Sequence, residues 1–353
     1  MISLDNNNFR RAFSLYKLNF IIESQNKELI NNDEFFLGKG EHLHSLLSNF
    51  NHLEEVDPPN YPDVIFRLRD SNETAVSFTQ KGDKTFELAG PLVKNETHAK
   101  DKRVCIFGNM GFFSKFLVRE LEKKGIFSIH STSFIDPKSN RLFIVIGGSG
   151  SGKSTVLLKA ISIGGIEVFG TEITHFSIGS SDIKMIKGSM WQNCRMGNLV
   201  IDFPELLEKF ELAPIEGDLW HMYKPVPLHN LQTPESDFAR LKIVILMPRI
   251  EGERNTVSIN KVAKSTILFN LFQNMSDKVS PPTLLWGNRF LPSIDSSVLQ
   301  IVRMSSAEKF LASAQIESCW NILASPGRCL EGLYPNLCGD STQNKNSFIG
   351  EII

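Results

Sequence analysis

Short alternating runs of apolar and polar residues mark the first hundred residues of the chain. Residues 63–69 (DVIFRLR) and 75–79 (AVSFT) alternate with a period of two and are bounded by turn-forming residues, a pattern typical of half-buried β-strands. Residues 91–103 (PLVKNETHAKDKR) are charged and lack any such period, which predicts a domain boundary there. We therefore expect a small accessory α+β domain, rich in strands, over residues 1–100.

The rest of the chain mixes helical and strand-like patterns, which predicts an α/β domain over residues 101–324. The clearest helix is expected over residues 112–124, where phenylalanine and leucine recur at helical spacing and Gly125 follows as a terminator. Further strands are expected at residues 126–130, 142–146, 167–169, 199–202 and 241–247. Further helices are expected at residues 154–161, 257–273 and 305–323. Residues 325–353 are rich in Gly, Pro, Asn and Ser and predict a weakly ordered tail.

A glycine-rich segment follows directly after the apolar run 142–146. It reads GGSGSGKST and matches the phosphate-binding loop pattern G-x-x-x-x-G-K-[ST]. In such a loop the backbone N–H groups surround the phosphates, the lysine reaches the β and γ oxygens, and the next hydroxyl ligates Mg²⁺. We therefore expect ATP and Mg²⁺ as cofactors. The residues expected to bind the nucleotide are Gly147, Gly148, Ser149, Gly150, Ser151, Gly152, Lys153, Ser154 and Thr155.

Composition narrows the function classes. The chain has 353 residues, of which 41% are apolar and 22% charged, as in an ordinary globular protein. Its formal net charge of −1 argues against nucleic acid or an anionic membrane surface as the main partner. The first residues hold no apolar leader and no long apolar span follows, so a cytoplasmic protein is expected. The five cysteines are scattered without a C-x-x-C pair, which predicts free thiols.

A phosphate-binding loop alone does not choose between motors, transporters, GTPases and kinases. The chain lacks the LSGGQ signature of transport ATPases and the NKxD motif with which GTPases read the base. The one apolar run that ends in an acid is 199–202, and Asp202 fits a turn residue at a strand end as well as it fits a magnesium ligand. Evidence for the type of reaction must therefore come from the segments before and after the loop.

Three segments stand in an informative order. His130 precedes the strand pair that leads into the loop, residues 166–172 (IEVFGTE) follow the loop helix, and residues 247–255 (MPRIEGERN) lead into a later helix. In this order they resemble the HPr serine kinase/phosphorylase family, which shares its fold with phosphoenolpyruvate carboxykinase. The resemblance covers roughly residues 126–274, about two-fifths of the chain. It implies a P-loop kinase core with a mixed β-sheet.

The resemblance also implies roles for single residues. Where the family has paired acids this chain has Thr171 and Glu172, so Glu172 is expected to hold Mg²⁺ together with Ser154, and the usual general base is missing. Either His130 or His175 is then expected to accept the proton of the acceptor hydroxyl, because histidine titrates near neutral pH.

Positive charge is the other requirement for phosphoryl transfer. Residues 192–197 (QNCRMG) match the family's second acidic motif only loosely, with amides in place of the acid, but Arg195 remains as a candidate phosphate clamp. Arg254 and Asn255 match a later arginine–asparagine pair. We expect Arg254, or its neighbour Arg249, to reach the phosphate end of the site, since one lysine alone leaves the transferring phosphoryl group poorly stabilised.

The function expected from these signals is an ATP- and Mg²⁺-dependent kinase that acts on a hydroxyl of a peptide, protein or small molecule. Two alternatives stay open: a regulatory protein that binds nucleotide with little turnover, and a P-loop ATPase driven by a partner. The expected partner is the hydroxyl-bearing acceptor, with neither nucleic acid nor membrane, and a homo-oligomer is compatible with the sequence.

Overall fold

The computed structural model describes residues 8–31, 50–73, 75–99, 102–179, 182–213, 217–234, 238, 241–285, 287, 289–331 and 333. Within these residues the chain contains two six-stranded mixed sheets and three smaller ones, together with helices. The α/β class predicted from the sequence is therefore confirmed. No helix in the described part of the chain is long and apolar enough to cross a membrane.

The first six strands form one sheet, which we call the N-terminal sheet. They are β1 (Phe9–Leu15), β2 (Leu18–Ser24), β3 (Leu53–Val56), β4 (Val64–Asp70), β5 (Ser77–Gln80) and β6 (Thr85–Gly90). The spatial order is β3-β1-β2-β4-β6-β5, with β2, β4 and β6 parallel and the outer pairs antiparallel. Strands β4 and β5 confirm the two predicted in this region.

Three helices accompany this sheet: α1 (Lys27–Ile30), α2 (Leu92–His98) and α3 (Phe112–Lys123). Helix α2 lies inside the segment 91–103, where no periodic element was expected. Helix α3 confirms the predicted helix, but it packs against the N-terminal sheet. The ring centroids of Phe113 and Phe66 lie 4.8 Å apart, and those of Phe116 and Phe86 lie 5.0 Å apart. One aromatic core therefore extends across the segment proposed as a boundary.

The second large sheet, the central sheet, holds the strand before the glycine-rich loop. Its members are β8 (Ser131–Asp136), β9 (Arg141–Ile146), β10 (Glu167–Gly170), β15 (Lys242–Ile250), β16 (Ser258–Lys261) and β19 (Ile316–Ala324). The order is β10-β8-β9-β15-β19-β16, and β9, β15 and β19 are parallel. The smaller sheets are formed by β7 (Ile126–Ile129) with β11 (Thr174–Ile178) and β12 (Ile183–Ile186), by β13 (Trp191–Arg195) with β14 (Tyr223–Pro227), and by β17 (Thr283–Leu285) with β18 (Arg289–Leu291).

Helices cover both faces of the central sheet. The remaining helices are α4 (Lys153–Ile163), α5 (Glu205–Lys209), α6 (Lys264–Ser276) and α7 (Ser297–Ala312). On β15, Val244 and Leu246 share a buried cluster with apolar residues of α4, whereas Ile243 and Ile245 share another with residues of α6 and α7. A strand buried on both faces reads as a continuous apolar run, as residues 241–247 do.

Three predicted elements are wrong in type or extent. Residues 198–202 form a single turn of π-helix and not a strand. The predicted helix 257–273 begins later, at Lys264, and is preceded by β16, because Ser258–Lys261 pairs with β19 at the sheet edge. The predicted helix 305–323 is the end of α7 followed by β19, whose apolar residues pair in parallel with β15. In the two predicted helices, pairing with the sheet outweighs the local apolar spacing.

The segment predicted as a weakly ordered tail begins in the packed part of the molecule. Pro326–Arg328 forms a 3-10 turn, and Cys329, Leu330 and Leu333 are buried against the cluster that contains α4. Residues 334–353, with Cys338, lie outside the described residues. The other four cysteines are free thiols, as predicted.

A buried ion cluster ties α3 to α7. Arg303 is fully buried, and its guanidinium donates two hydrogen bonds of 2.8 Å to the Glu122 carboxylate. It also donates to both oxygens of Asp295, at 3.0 and 3.1 Å, and to the Ser276 hydroxyl at 3.2 Å. Removing one member of such a cluster leaves the other charges buried and unpaired.

We predict that Arg303→Met lowers the free energy of unfolding by about 3–5 kcal/mol, because Glu122 and Asp295 lose their buried counterion. Urea unfolding followed by circular dichroism measures this change. Arg328→Ala is the control, because its ion pair with Glu331 is exposed and should contribute little. Equal unfolding midpoints for the two variants would contradict the prediction.

Candidate functional site

The glycine-rich loop lies between β9 and α4, as predicted. Its glycines at 147, 150 and 152 have φ angles of 152°, 79° and 100°, which side-chain-bearing residues rarely adopt. A Cβ atom on Gly152 would lie 2.2 Å from Cγ1 of Ile250. The loop therefore passes so close to β15 that only glycine fits at its last position.

Lys153 is the first residue of α4. Its Nζ donates hydrogen bonds to the backbone oxygens of Gly147, at 2.7 Å, and Gly148, at 3.3 Å. Thr132 on β8 donates to the Lys153 carbonyl at 3.1 Å. Burial lowers the pKa of this lysine, although the nearby Glu172 carboxylate opposes the shift. The ammonium group is thus held at the mouth of the loop.

The Ser154 hydroxyl contacts a buried amide from another strand. Its Oγ accepts a hydrogen bond of 3.1 Å from Nε2 of Gln192, which is fully buried. The same Nε2 donates to the backbone oxygen of Asn193 at 3.2 Å, which fixes the orientation of the amide. Strand β13 therefore positions the hydroxyl that was predicted to bind Mg²⁺.

Glu172 follows β10 and lies close to His130. Its backbone N–H donates to the Ser189 hydroxyl at 2.9 Å, and its Oε2 lies 3.8 Å from Nε2 of His130. Burial raises the pKa of Glu172, but His130, Lys278 and Lys153 together lower it more, so the pKa of this carboxyl lies below its ordinary value. The structure therefore brings together an ionised carboxylate and three basic groups.

His130 is held from its other side by Asp277. Nδ1 of the imidazole forms a short hydrogen bond with Oδ2 of Asp277, which lies just beyond the end of α6. This bond lowers the pKa of Asp277 despite its partial burial. A carboxylate that accepts from Nδ1–H leaves Nε2 as the nitrogen with a lone pair.

Asn274 on α6 connects His130 to the loop. Its carbonyl oxygen accepts the His130 backbone N–H at 2.9 Å, and its side-chain Oδ1 accepts the Gly147 N–H at 3.2 Å. Its Nδ2 donates to the Asn270 carbonyl at 2.7 Å, so the amide itself is fixed to the helix.

These groups open onto one cavity of about 590 Å³. Its lining contains His130, the loop residues 148–155, Leu158, Glu172, Asn193, Arg195, Asn198, Ile201, Asp202, Trp220, Tyr223, Ile250, Gly252, Glu253 and Pro326. Lys153, Ser154, Glu172 and His130, all predicted from the sequence, therefore share one space. Asp202 lies in it as well, on the π-helical turn, and burial raises its pKa.

His175, the second predicted base, lies elsewhere. It is fully buried on β11, where Nδ1 is 2.8 Å from the Ser128 hydroxyl and the ring stacks on Phe50 at 5.8 Å. The Tyr16 ring contacts it at 5.3 Å. It is not among the described residues that line the cavity. Its side chain belongs to the packing between β11 and the N-terminal sheet.

The expectation for Arg254 and Arg249 is also corrected. Both guanidinium groups pair with Glu251 at 2.9 Å, and Arg249 is 80% exposed. Neither is among the described residues lining the cavity, although Gly252 and Glu253 between them are. Glu251 binds both guanidinium groups, so this turn contributes Gly252 and Glu253 to the cavity lining but neither arginine.

Arg195 supplies a guanidinium at the cavity instead. It projects from β13 and donates to the Tyr223 hydroxyl on β14 at 2.6 Å through Nη2 and 3.1 Å through Nε. The sequence had marked it as a candidate phosphate clamp. Thr171, in the position of the missing acid, is buried, and its hydroxyl donates a hydrogen bond to the Trp191 carbonyl at 2.7 Å. This side chain therefore stabilises the contact between β10 and β13.

The described residues contain no group of three or more His, Cys, Asp or Glu side chains that could hold a metal ion. The oxygens present nevertheless fit Mg²⁺, which prefers few carboxylates together with phosphate and water. Ser154 and Glu172 line the cavity, and Oδ1 of Asn193 is buried without a hydrogen-bond partner in the described part of the chain. A hard cation or its water would satisfy that oxygen.

Some members of the site could not be found from the sequence. Asn274, Asp277 and Lys278 lie at or just beyond the end of α6. The apolar pattern of the sequence had predicted that this helix ends at residue 273. An Asn-x-x-Asp-Lys sequence after a helix has no signal of its own. Only the position of the helix end beside the loop reveals the roles of these residues.

A scan against protein-family models found none that matches this chain, and a search of the curated proteins found no relative. The resemblance to the HPr kinase family therefore rests on the loop and on the order of the motifs.

We predict that Gly152→Ala destabilises the protein by about 1–3 kcal/mol, because the added methyl group would meet Ile250 and the residue would keep a positive φ. Gly148→Ala is the matched control in the same loop, since nothing lies within 4 Å of its added Cβ. Thermal and urea unfolding of both variants provide the measurement. A Gly152→Ala protein as stable as the Gly148→Ala protein would refute the close approach of the loop to β15.

Proposed function

We propose that the chain is a kinase that transfers the γ-phosphoryl group of ATP, in the presence of Mg²⁺, to a hydroxyl of a peptide, protein or small molecule. One observation carries this proposal: a single cavity contains Lys153 and Ser154 of the glycine-rich loop, the Glu172 carboxylate and the His130 imidazole. The loop also lies at the carboxyl end of a parallel strand, β9, where α/β sheets bind their ligands.

The glycine-rich loop would bind the phosphates of the nucleotide. The first N–H groups of α4 have no acceptor within the helix, and such a helix start attracts phosphate. The ammonium group of Lys153 would contact the β and γ oxygens of the nucleotide. Ser154 and Glu172 would hold Mg²⁺, which neutralises charge on the same phosphates when bound.

Transfer needs a proton acceptor and a further positive charge. The acceptor oxygen forms a bond to the γ phosphorus, the bond between that phosphorus and the bridging oxygen breaks, and ADP leaves. The hydroxyl proton passes to Nε2 of His130, while Asp277 holds the proton on Nδ1. Arg195, which lines the cavity, would stabilise the charge on the transferring group in place of Arg254.

We predict that Lys153→Ala weakens the binding of a non-hydrolysable ATP–Mg²⁺ analogue by about tenfold or more, because the lysine contacts the phosphates. Lys159→Ala on the same helix is the control, since it lies outside the cavity-lining set. Isothermal titration calorimetry measures both affinities. Equal affinity in the two variants would remove the basis of the proposed function.

We predict that His130→Ala reduces ADP release by about 10²–10⁴-fold while its affinity for nucleotide stays within a few-fold of that of the unmodified protein, because only the proton acceptor is lost. The assay uses ATP with water and a panel of serine-containing peptides as acceptors. His221→Ala is the matched control, because His221 forms an exposed pair with Asp218 at 2.7 Å and is not among the described residues that line the cavity.

Full turnover in the His130→Ala protein would exclude His130 as the base. Tight nucleotide binding without turnover in the unmodified protein would favour the regulatory alternative over a kinase.

A further inference from the structure

Two buried amide oxygens on β13 have no hydrogen-bond partner among the described residues. They are Oε1 of Gln192 and Oδ1 of Asn193. An unsatisfied buried acceptor costs about 1–3 kcal/mol. Such atoms in a folded protein usually indicate a bound water or ion. Neighbouring orphaned oxygens beside a candidate phosphate site therefore point to a ligand.

The position of β13 supports this interpretation. Asn193 lines the cavity, and Nε2 of Gln192 donates a hydrogen bond to the Ser154 hydroxyl. Ser154 and Glu172, the two residues expected to hold Mg²⁺, line the same cavity as Asn193.

The charge in this cavity is unfavourable for a free dication. The negative charge of Glu172 is already offset by His130, Lys278 and Lys153. The described residues supply no cluster of three acidic, histidine or cysteine side chains to offset a 2+ charge. An amide oxygen can ligate Mg²⁺ but brings no negative charge, and the affinity of such sites follows the number of charged ligands.

We propose that Asn193 supplies a neutral oxygen ligand to the divalent cation, directly or through water, and that the cation consequently enters this cavity only as its complex with nucleotide. The inference deepens the proposed function, on which it rests. The ligand of this cavity would then be the metal–nucleotide complex. The phosphates would supply the negative charge, which the neutral Asn193 side chain lacks.

Mn²⁺, observed by electron paramagnetic resonance, is the probe. We expect no saturable Mn²⁺ binding to the full chain alone at millimolar concentration, and saturable binding once ADP is added. Asn193→Asp should bind Mn²⁺ without nucleotide at least about tenfold more tightly than the unmodified chain, because it adds one charged ligand. Asn260→Asp, with the same change of charge at an exposed position on β16, should not.

A second variant tests the oxygen itself. Asn193→Leu should weaken Mn²⁺ binding in the presence of ADP by about tenfold, while its affinity for ADP in EDTA stays within a few-fold. Tight Mn²⁺ binding to the unmodified chain alone would overturn the inference, and so would an Asn193→Asp protein that behaves like Asn260→Asp. Failure of the chain to bind ADP in EDTA would instead refute the proposed function, and the nucleotide-free Mn²⁺ measurement would still decide the role of Asn193.

Discussion

The geometry of the cavity depends on one buried residue, Asn274. Its side-chain amide makes hydrogen bonds to the start of the glycine-rich loop and to α6, and its backbone carbonyl accepts the His130 N–H. A buried residue with all of these partners is costly to displace, because any movement leaves a donor or an acceptor unsatisfied. Asn274 therefore fixes the start of the loop relative to the backbone of His130.

The same helix end carries Asp277, which orients His130. Segments from three parts of the chain thus converge on one imidazole: β7 leads into it, α6 fixes its backbone and its Nδ1, and Glu172 faces its Nε2. The carboxylates of Asp277 and Glu172 therefore lie on opposite sides of the ring, one at each nitrogen.

Local patterns predicted the parts of this structure that local forces decide. The loop, the strand before it and the helix after it could be read directly, because glycine spacing and an apolar run specify them almost alone. Two of the elements that sequence reasoning assigned wrongly, β16 and β19, lie at one side of the central sheet, where pairing with distant strands decides the conformation. Likewise, Arg254 looked suited to phosphate until Glu251, three residues earlier, proved to bind it.

The parallel pairing of β9 with β15 has a consequence for the order in which the molecule is made. The glycine-rich loop leaves the ribosome roughly a hundred residues before the strand that fixes its last glycine, and before the helix that carries Asn274. Contacts this distant in sequence form late in folding. The loop can therefore reach the conformation described above only after most of the chain has been translated.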